Sequence, residues 1–120
     1  MREIKFRIWV EDKMHIPLYI RLPITEGIPV MQYTGLHDSK RTEEYPEGQE
    51  IYEGDILRYV IIGKGKIEFI PCEVYFDMGA FYMKDTRMHG REDLLSEAEP
   101  DDIEVIGNIH ENSELLKGKA

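Results

Sequence analysis

The sequence feature that most constrains the fold is the alternation of apolar and polar side chains in residues 3–10, EIKFRIWV. A period of two over eight residues is typical of a half-buried β-strand, because successive side chains point to opposite faces. One face carries Ile4, Phe6, Ile8 and Val10, and the other carries Lys5, Arg7 and Trp9. This segment therefore needs a sheet to pair with and a core that covers one face.

Further short apolar runs recur along the chain, separated by glycine, proline or charged residues. They lie at residues 14–22, 30–34, 56–62, 67–76, 80–83 and 103–109. Proline cannot donate a ladder hydrogen bond, so Pro17 and Pro23 predict an edge strand or extended arm at 14–22. For the same reason, Pro71 predicts a bulge or an edge position in 67–76. The GKGK stretch at 63–66 and Met78-Gly79 predict hairpin turns.

These runs predict a mostly β fold, a β-rich α+β domain with little helix and no alternation of strands with helices. The antiparallel strands are expected to close as a small barrel or to form two packed sheets. Short helical turns are predicted near residues 91–98 and 112–117. We expect one domain over residues 1–117 and a frayed tail at residues 118–120.

The negative charge is concentrated in one segment. The net charge is −9, and residues 92–116 contain nine acidic residues and no lysine or arginine. Phosphate contacts require cations, so we expect no direct binding to duplex nucleic acid. The acidic segment is interpreted as a solvated face that keeps the protein soluble. Mimicry of nucleic acid, or docking on a basic partner, is the alternative.

Cysteine usage and hydropathy predict a cytoplasmic protein that does not interact with a membrane. Cys72 is the one cysteine, so it cannot form an internal disulfide, and a free thiol fits a reducing compartment. No apolar run approaches the roughly 20 residues that a membrane span needs. The start MREIKFR mixes charged and apolar residues and does not resemble a signal peptide.

The pair Gly54-Asp55, in the stretch QEIYEGDILRY, raises the question of a catalytic acid. We interpret it as a structural turn, because glycine supplies a positive φ and aspartate accepts hydrogen bonds from local backbone N–H groups. The histidines also lack the spacing of a metal pair; they are His15, His37, His89 and His110. His37-Asp38 is interpreted as a solvated loop pair. We therefore predict no catalytic, cofactor-binding or metal-binding residues, no cofactor and no enzyme activity.

Residues 36–49 are polar and have no helical period. A loop of this length is often functional or mobile, so we expect it to be the most flexible part of the chain.

Four ordered segments carry a resemblance to a known family. They are MREIKFRIW at 1–9, MQYTGLHD at 31–38, EIYEGDILRY at 50–59 and EVIGNIHENSELL at 104–116. Together they resemble the YopX family of bacteriophage and prophage proteins over essentially the whole chain. The stretch RTEEYPEG at 41–48 departs from that pattern by lengthening a link that is usually short.

The resemblance implies a phage-encoded protein of no established function. With no catalytic constellation in view, we expect a non-catalytic interaction or accessory protein in the host cytoplasm. The alternative is a nucleic-acid-associated or DNA-mimicking regulatory factor.

The stretch ILRYVII at 56–62 is apolar on both faces over its last three residues. Such a run needs cover on both sides, and a domain of 120 residues has limited material to provide it. We therefore predict a homo-oligomer that buries apolar surface near this hairpin, in keeping with the expected protein partner or self-association. The competing explanation is that residues 85–100 fold over it within one chain.

Overall fold

The computed structural model describes residues 4–16, 28–63, 65–85, 92–112 and 114, and these residues form two antiparallel sheets. The first sheet contains β1 (Phe6–Val10), β2 (Lys13–His15), β3 (Val30–His37) and β4 (Glu50–Tyr52), in the order β2-β1-β3-β4. The second contains β5 (Asp55–Gly63), β6 (Lys66–Asp77), β7 (Ala80–Asp85), β8 (Glu92–Leu94) and β9 (Ile103–Asn108), in the order β8-β7-β6-β5-β9. The predicted β-rich fold is confirmed, and of the two alternatives the described strands form two sheets.

β1 forms where the alternation predicts it, but the face that it buries is not simply the apolar one. Arg7 is buried, whereas Ile4 is exposed and Phe6 is only half-buried. A charged side chain is buried at such a position only when a partner compensates the lost hydration. That partner is the carboxylate of Asp55, the first residue of β5 in the second sheet.

The main core covers one face of the five-stranded sheet, because alternate residues of β5, β6 and β7 point to it. Its buried members are Ile51, Leu57, Ile70, Cys72, Val74, Phe81, Met83, Leu95 and Ile103. Ile51 belongs to β4, so this cluster also holds the two sheets together. Cys72 is buried in this core and is not part of a disulfide.

The predicted turns and one predicted edge are present. Gly63 pairs with Lys66 at the β5–β6 turn. At the β6–β7 turn, Met78 has a φ of 48° and Gly79 a φ of 82°, as a two-residue type I′ hairpin requires. β2 is an edge strand of the first sheet. Residues 17–23, with both prolines of the predicted arm, lie outside the described residues.

Pro71 was predicted to mark a bulge or an edge position, and it lies at a local edge of β6, a strand that β5 and β7 flank further along its length. Its register with β5 runs unbroken from Ile56–Glu73 to Gly63–Lys66, with Arg58 opposite Pro71, so no bulge is needed. β7 begins to pair with β6 only at Cys72. Pro71 therefore lies where β6 has a paired neighbour on one side only, which explains why a missing N–H is tolerated there.

The prediction of helical turns near 91–98 is only partly correct. Residues Glu92–Leu94 form β8 against β7, and only Leu95–Glu97 turn as a 3-10 helix. Pro100 begins a second 3-10 turn, Pro100–Asp102, because its fixed φ suits the first position of a helical turn. The predicted turn at 112–117 falls outside the described residues except at 112 and 114. The tail at 118–120 also falls outside them.

Candidate functional site

Gly54-Asp55 lies at the junction between the two sheets. Asp55 is the first residue of β5, and only 1% of its surface is exposed. Its Oδ2 accepts a hydrogen bond from the backbone N–H of Tyr52 at 2.8 Å, as predicted for a turn aspartate. Its Oδ1 accepts a charge-assisted bond of 2.6 Å from Nη2 of Arg7 in β1. The carboxylate therefore has the predicted role in the turn and, in addition, ties β5 to the first sheet.

Arg7 is the ion-pair partner of Asp55, and no pattern in the sequence indicates that the two residues meet. Its Nη2 also donates to the backbone carbonyl of Glu53 at 3.2 Å, and its guanidinium lies 4.7 Å from the centre of the Tyr52 ring. Among the described residues, no acceptor reaches its buried Nε. Arg7 therefore stabilises the junction through a carboxylate, a carbonyl and an aromatic face at once.

The balance of forces on Asp55 favours its neutral form more than usual. Burial raises the pKa of Asp55 to about 6, although the charge of Arg7 and the hydrogen bond from Tyr52 both lower it. Desolvation therefore outweighs the ion pair at this position. A carboxyl group with a pKa of about 6 exchanges a proton near neutral pH. The side chains around it therefore decide whether it can act as an acid or a base in a reaction.

A polar pocket of about 340 Å³ lies beside this ion pair. It is lined by Arg7, Gln49, Asp55, Val105, Ile106, Gly107, Asn108, Glu111 and Asn112. Among these lining residues, Asp55 and Glu111 carry carboxyl groups, and none is a serine, cysteine, lysine or histidine. The described residues likewise contain no cluster of His, Cys, Asp or Glu that could hold a metal ion. The pocket can donate and accept hydrogen bonds, and its carboxyl acts mainly in holding the sheets together.

Asp38 is a second buried carboxylate at the junction, and it contradicts its interpretation as part of a solvated loop pair. Its Oδ1 accepts hydrogen bonds from the N–H groups of Lys40 and Gln49, at 3.2 and 2.8 Å. Its Oδ2 accepts from the N–H of Val105 in β9 at 3.0 Å. Asp38 therefore closes the base of the 36–49 loop and fastens it to the edge of the second sheet.

Gly48 shows how closely that loop is packed. Its φ is 98°, and a Cβ added there would lie 2.0 Å from the carbonyl oxygen of Asp38. A pocket of about 380 Å³ lies on the loop, with His37 and Arg41 in its lining. His37 itself is half-buried, with Nε2 3.3 Å from the hydroxyl of Tyr33. The loop thus has a fixed base, while its flexibility stays a prediction.

The described histidines lie apart from one another. His15 is on the edge strand β2, and His110 stacks on Trp9 with ring centres 5.4 Å apart. Burial, followed by the charge of Arg7, lowers the pKa of His110. His89 lies outside the described residues, and none of the others belongs to a metal-binding cluster among the residues that the structure describes.

The acidic segment is partly neutralised from elsewhere in the chain. Glu104 of β9 forms ion pairs with Lys40 at 2.6 Å and with Arg58 at 2.9 Å. Glu97, Glu99 and Asp101, on and between the two 3-10 turns, are exposed. The segment therefore contains both a neutralised strand and a solvated acidic face.

The far half of the β5–β6 hairpin forms what we call the hairpin arm, residues 60–63 and 65–69. Pairing of β9 with β5 ends at Tyr59, and pairing of β7 with β6 begins at Cys72. Beyond these points the described residues form a two-stranded ribbon without a neighbouring strand. The arm is a structure that rarely persists alone in water.

One face of the hairpin arm exposes large apolar side chains. Ile62 is 73% exposed, Ile67 is 64% exposed and Phe69 is 54% exposed. Ile62 faces Ile67 in the register, and Val60 faces Phe69, so the four side chains share a face of the ribbon. Residues 92–100 leave that face uncovered, because Leu95 packs into the opposite core and β8 pairs with β7. The exposed apolar surface predicted near this hairpin is present in the described residues.

By its fold, the chain is a small antiparallel β protein. Its two sheets are joined by buried carboxylates, and one hairpin exposes an apolar face. The YopX protein family matches residues 11–117, so the chain belongs to the YopX family. A crystal structure of protein EF1440 from Enterococcus faecalis is similar, with a TM-score of 0.57 and 25% sequence identity. The similarity covers 97% of this chain and 99% of that one. No curated protein matches the chain.

In the part of the chain that the structure describes, no helix has the length and hydropathy of a membrane span.

Proposed function

We propose that this YopX-family protein is a non-catalytic interaction or accessory protein. It is encoded by a phage or prophage, acts in the cytoplasm of the bacterial host, and binds a protein through the hairpin arm. The observation that carries the proposal is the apolar face of Ile62, Ile67 and Phe69 on a ribbon that no described segment covers. Large apolar side chains grouped on one exposed surface are characteristic of interaction sites.

The energetics of the arm support a partner. Fully burying an aliphatic or aromatic side chain contributes about 1.5–3 kcal/mol relative to leaving it exposed. Ile62, Ile67 and Phe69 forgo much of this in the isolated chain. Their free strand edges add backbone groups that a partner strand can pair with.

The carboxylates at the junction support a non-catalytic role. Asp38 accepts three backbone hydrogen bonds, and Asp55 is held by Arg7 and Tyr52. Groups bound in this way are committed to holding the fold together. The described lining of the adjacent pocket adds one further carboxyl group, that of Glu111, and no serine, cysteine, lysine or histidine.

The experiment is capture of proteins from a bacterial host lysate, with and without phage infection. Ile67→Asp places a charge on the arm, and Met78→Asp is the matched control on the almost fully exposed β6–β7 turn. We expect Ile67→Asp to lose a captured protein that Met78→Asp retains. Equal capture by both variants and the unchanged chain would contradict the role of the arm.

Mimicry of nucleic acid is a second candidate, because Glu97, Glu99 and Asp101 expose carboxylates on a short surface. The ion pairs of Glu104 with Lys40 and Arg58 weaken this candidate, since they neutralise part of the same segment. A mimic would bind a basic DNA-binding protein that duplex DNA displaces. The chain itself should not shift duplex DNA at about 0.15 M salt, since its 15 lysine and arginine residues are outnumbered by 24 acidic residues.

A further inference from the structure

We propose that the partner of the hairpin arm is a second copy of this chain, paired antiparallel along β6 with its two-fold axis at Ile67. This inference rests on the proposed function of the arm and specifies its partner. Residues 66–71 of β6 pair with β5 on one side, and none of the described strands pairs with them on the other. That edge is therefore open to a further strand.

The charge pattern of this edge favours its own copy. When a strand pairs antiparallel with its copy, the residue at the axis faces itself and its two neighbours face each other. With Ile67 at the axis, Lys66 of each copy lies opposite Glu68 of the other. An axis at Lys66 or at Glu68 would place like charges opposite each other, which is unfavourable.

Burial and net charge agree with this register. Lys66 and Glu68 are both exposed, so they are free to pair across a new interface. Residues 60–69 contain two lysines and one glutamate, whereas the whole chain has a net charge of −9. The arm is therefore a surface on which two acidic chains can meet without strong repulsion. The pairing also places Ile67 beside Ile67 and joins the apolar faces of the two arms.

The closing experiment exchanges charges and measures mass by sedimentation velocity from micromolar to millimolar concentrations. The unchanged chain should shift from 14.1 kDa to twice that mass as concentration rises. Lys66→Glu and Glu68→Lys should each weaken self-association about tenfold or more, because each turns two attractive cross-strand pairs into repulsive ones. A mixture of the two variants should associate again, and so should the double exchange in one chain.

Met78→Glu is the control for added charge away from the arm, and circular dichroism confirms that each variant is folded. A single chain mass at all concentrations, or single variants that associate like the unchanged chain, would overturn the inference. A mixture that stays monomeric would overturn it as well. If the chain is monomeric but Ile67→Asp loses a captured protein, only self-pairing fails. If the chain is monomeric and Ile67→Asp captures the same proteins as the unchanged chain, both the self-pairing and the proposed function fail.

Discussion

At the sheet junction, charged side chains such as Arg7 and Asp55 are buried, whereas on the hairpin arm apolar side chains such as Ile62 and Ile67 are exposed. The two regions thus reverse the usual distribution of polar and apolar groups. At the junction, each buried carboxylate has partners that replace its lost hydration. On the arm, no described strand covers the apolar face, and the charged group that lies against it is the Arg58 guanidinium, 4.9 Å from the centre of the Phe69 ring. The first region explains how the two sheets stay together, and the second indicates where another molecule would bind.

The difference also separates stability from binding. Side chains at the junction contribute to the free energy of unfolding because their partners belong to the same chain. Side chains on the arm contribute little to it, because they remain in water after folding. Substitutions in the two regions should therefore affect different measurements.

The largest effect is expected when Arg7 is replaced by methionine. Arg7→Met removes the 2.6 Å bond to Asp55 and the bond to the carbonyl of Glu53. Breaking a buried ion pair by removing one partner costs about 3–5 kcal/mol. Urea denaturation at pH 7 measures the loss. Asp55→Asn is the matched variant and should cost less, because burial already raises the pKa of Asp55 to about 6 and so favours a neutral group there. A larger loss from Asp55→Asn than from Arg7→Met would contradict this ranking.

The next effect concerns the backbone at Gly54. Its φ is 84°, and an added Cβ would lie 3.1 Å from Sδ of Met31. Gly54→Ala should cost about 1–3 kcal/mol from backbone strain alone. Gly54→Val should cost more, since a β-branched residue tolerates a positive φ least.

Gly79 provides the control, because its φ is 82° and no atom lies within 4 Å of an added Cβ. Thermal melts of Gly79→Ala should show the strain without the crowding. Equal losses at Gly54 and Gly79 would show that the Met31 contact relaxes freely.

A smaller effect is the pH dependence of the junction. Because burial raises the folded-state pKa of Asp55 from 3.8 to about 6, the folded chain holds a proton that the unfolded chain has released. The stability from this group is therefore fully present below about pH 4 and is lost as the pH rises to about 6. We expect a change of about 1–3 kcal/mol across this window. The test is the difference between the unfolding free energies of the unchanged chain and Asp55→Asn at several pH values. A flat difference, or one of opposite sign, would contradict it.

Local patterns in the sequence predict most strands but not the residues that join them. The period of two and the glycine turns indicate β1, the β5–β6–β7 meander and β9, because both signals act between neighbouring residues. Arg7 and Asp55 are 48 residues apart, and the bond from Val105 to Asp38 spans 67 residues. Such partners meet only after the sheets have formed, so no local period reveals them.

One local prediction was only partly correct, because tertiary pairing outweighed propensity. The segment around Leu94 has helix-forming neighbours, yet residues 92–94 pair with β7. Pro71 suggested an edge or a bulge, and it does lie at an edge, because β7 begins to pair with β6 only at Cys72. The apolar run ILRYVII indicated a hairpin that needs more cover than a small domain provides, and Ile62 at its end is 73% exposed.

The smallest effect is expected from Ile67→Ala on the arm. Ile67 is 64% exposed, so its truncation leaves almost the same surface in water before and after unfolding. The change in unfolding free energy should be within about 0.5 kcal/mol at concentrations where the chain is monomeric. Ile70→Ala is the matched control three positions along β6, where the side chain is fully buried in the core, and it should cost about 2–5 kcal/mol. As the protein concentration rises, the unchanged chain should become more stable than Ile67→Ala, because association stabilises only the form that can pair. A large loss from Ile67→Ala in the dilute chain would mean that the arm is covered within one molecule, and the contrast between the two regions would no longer hold.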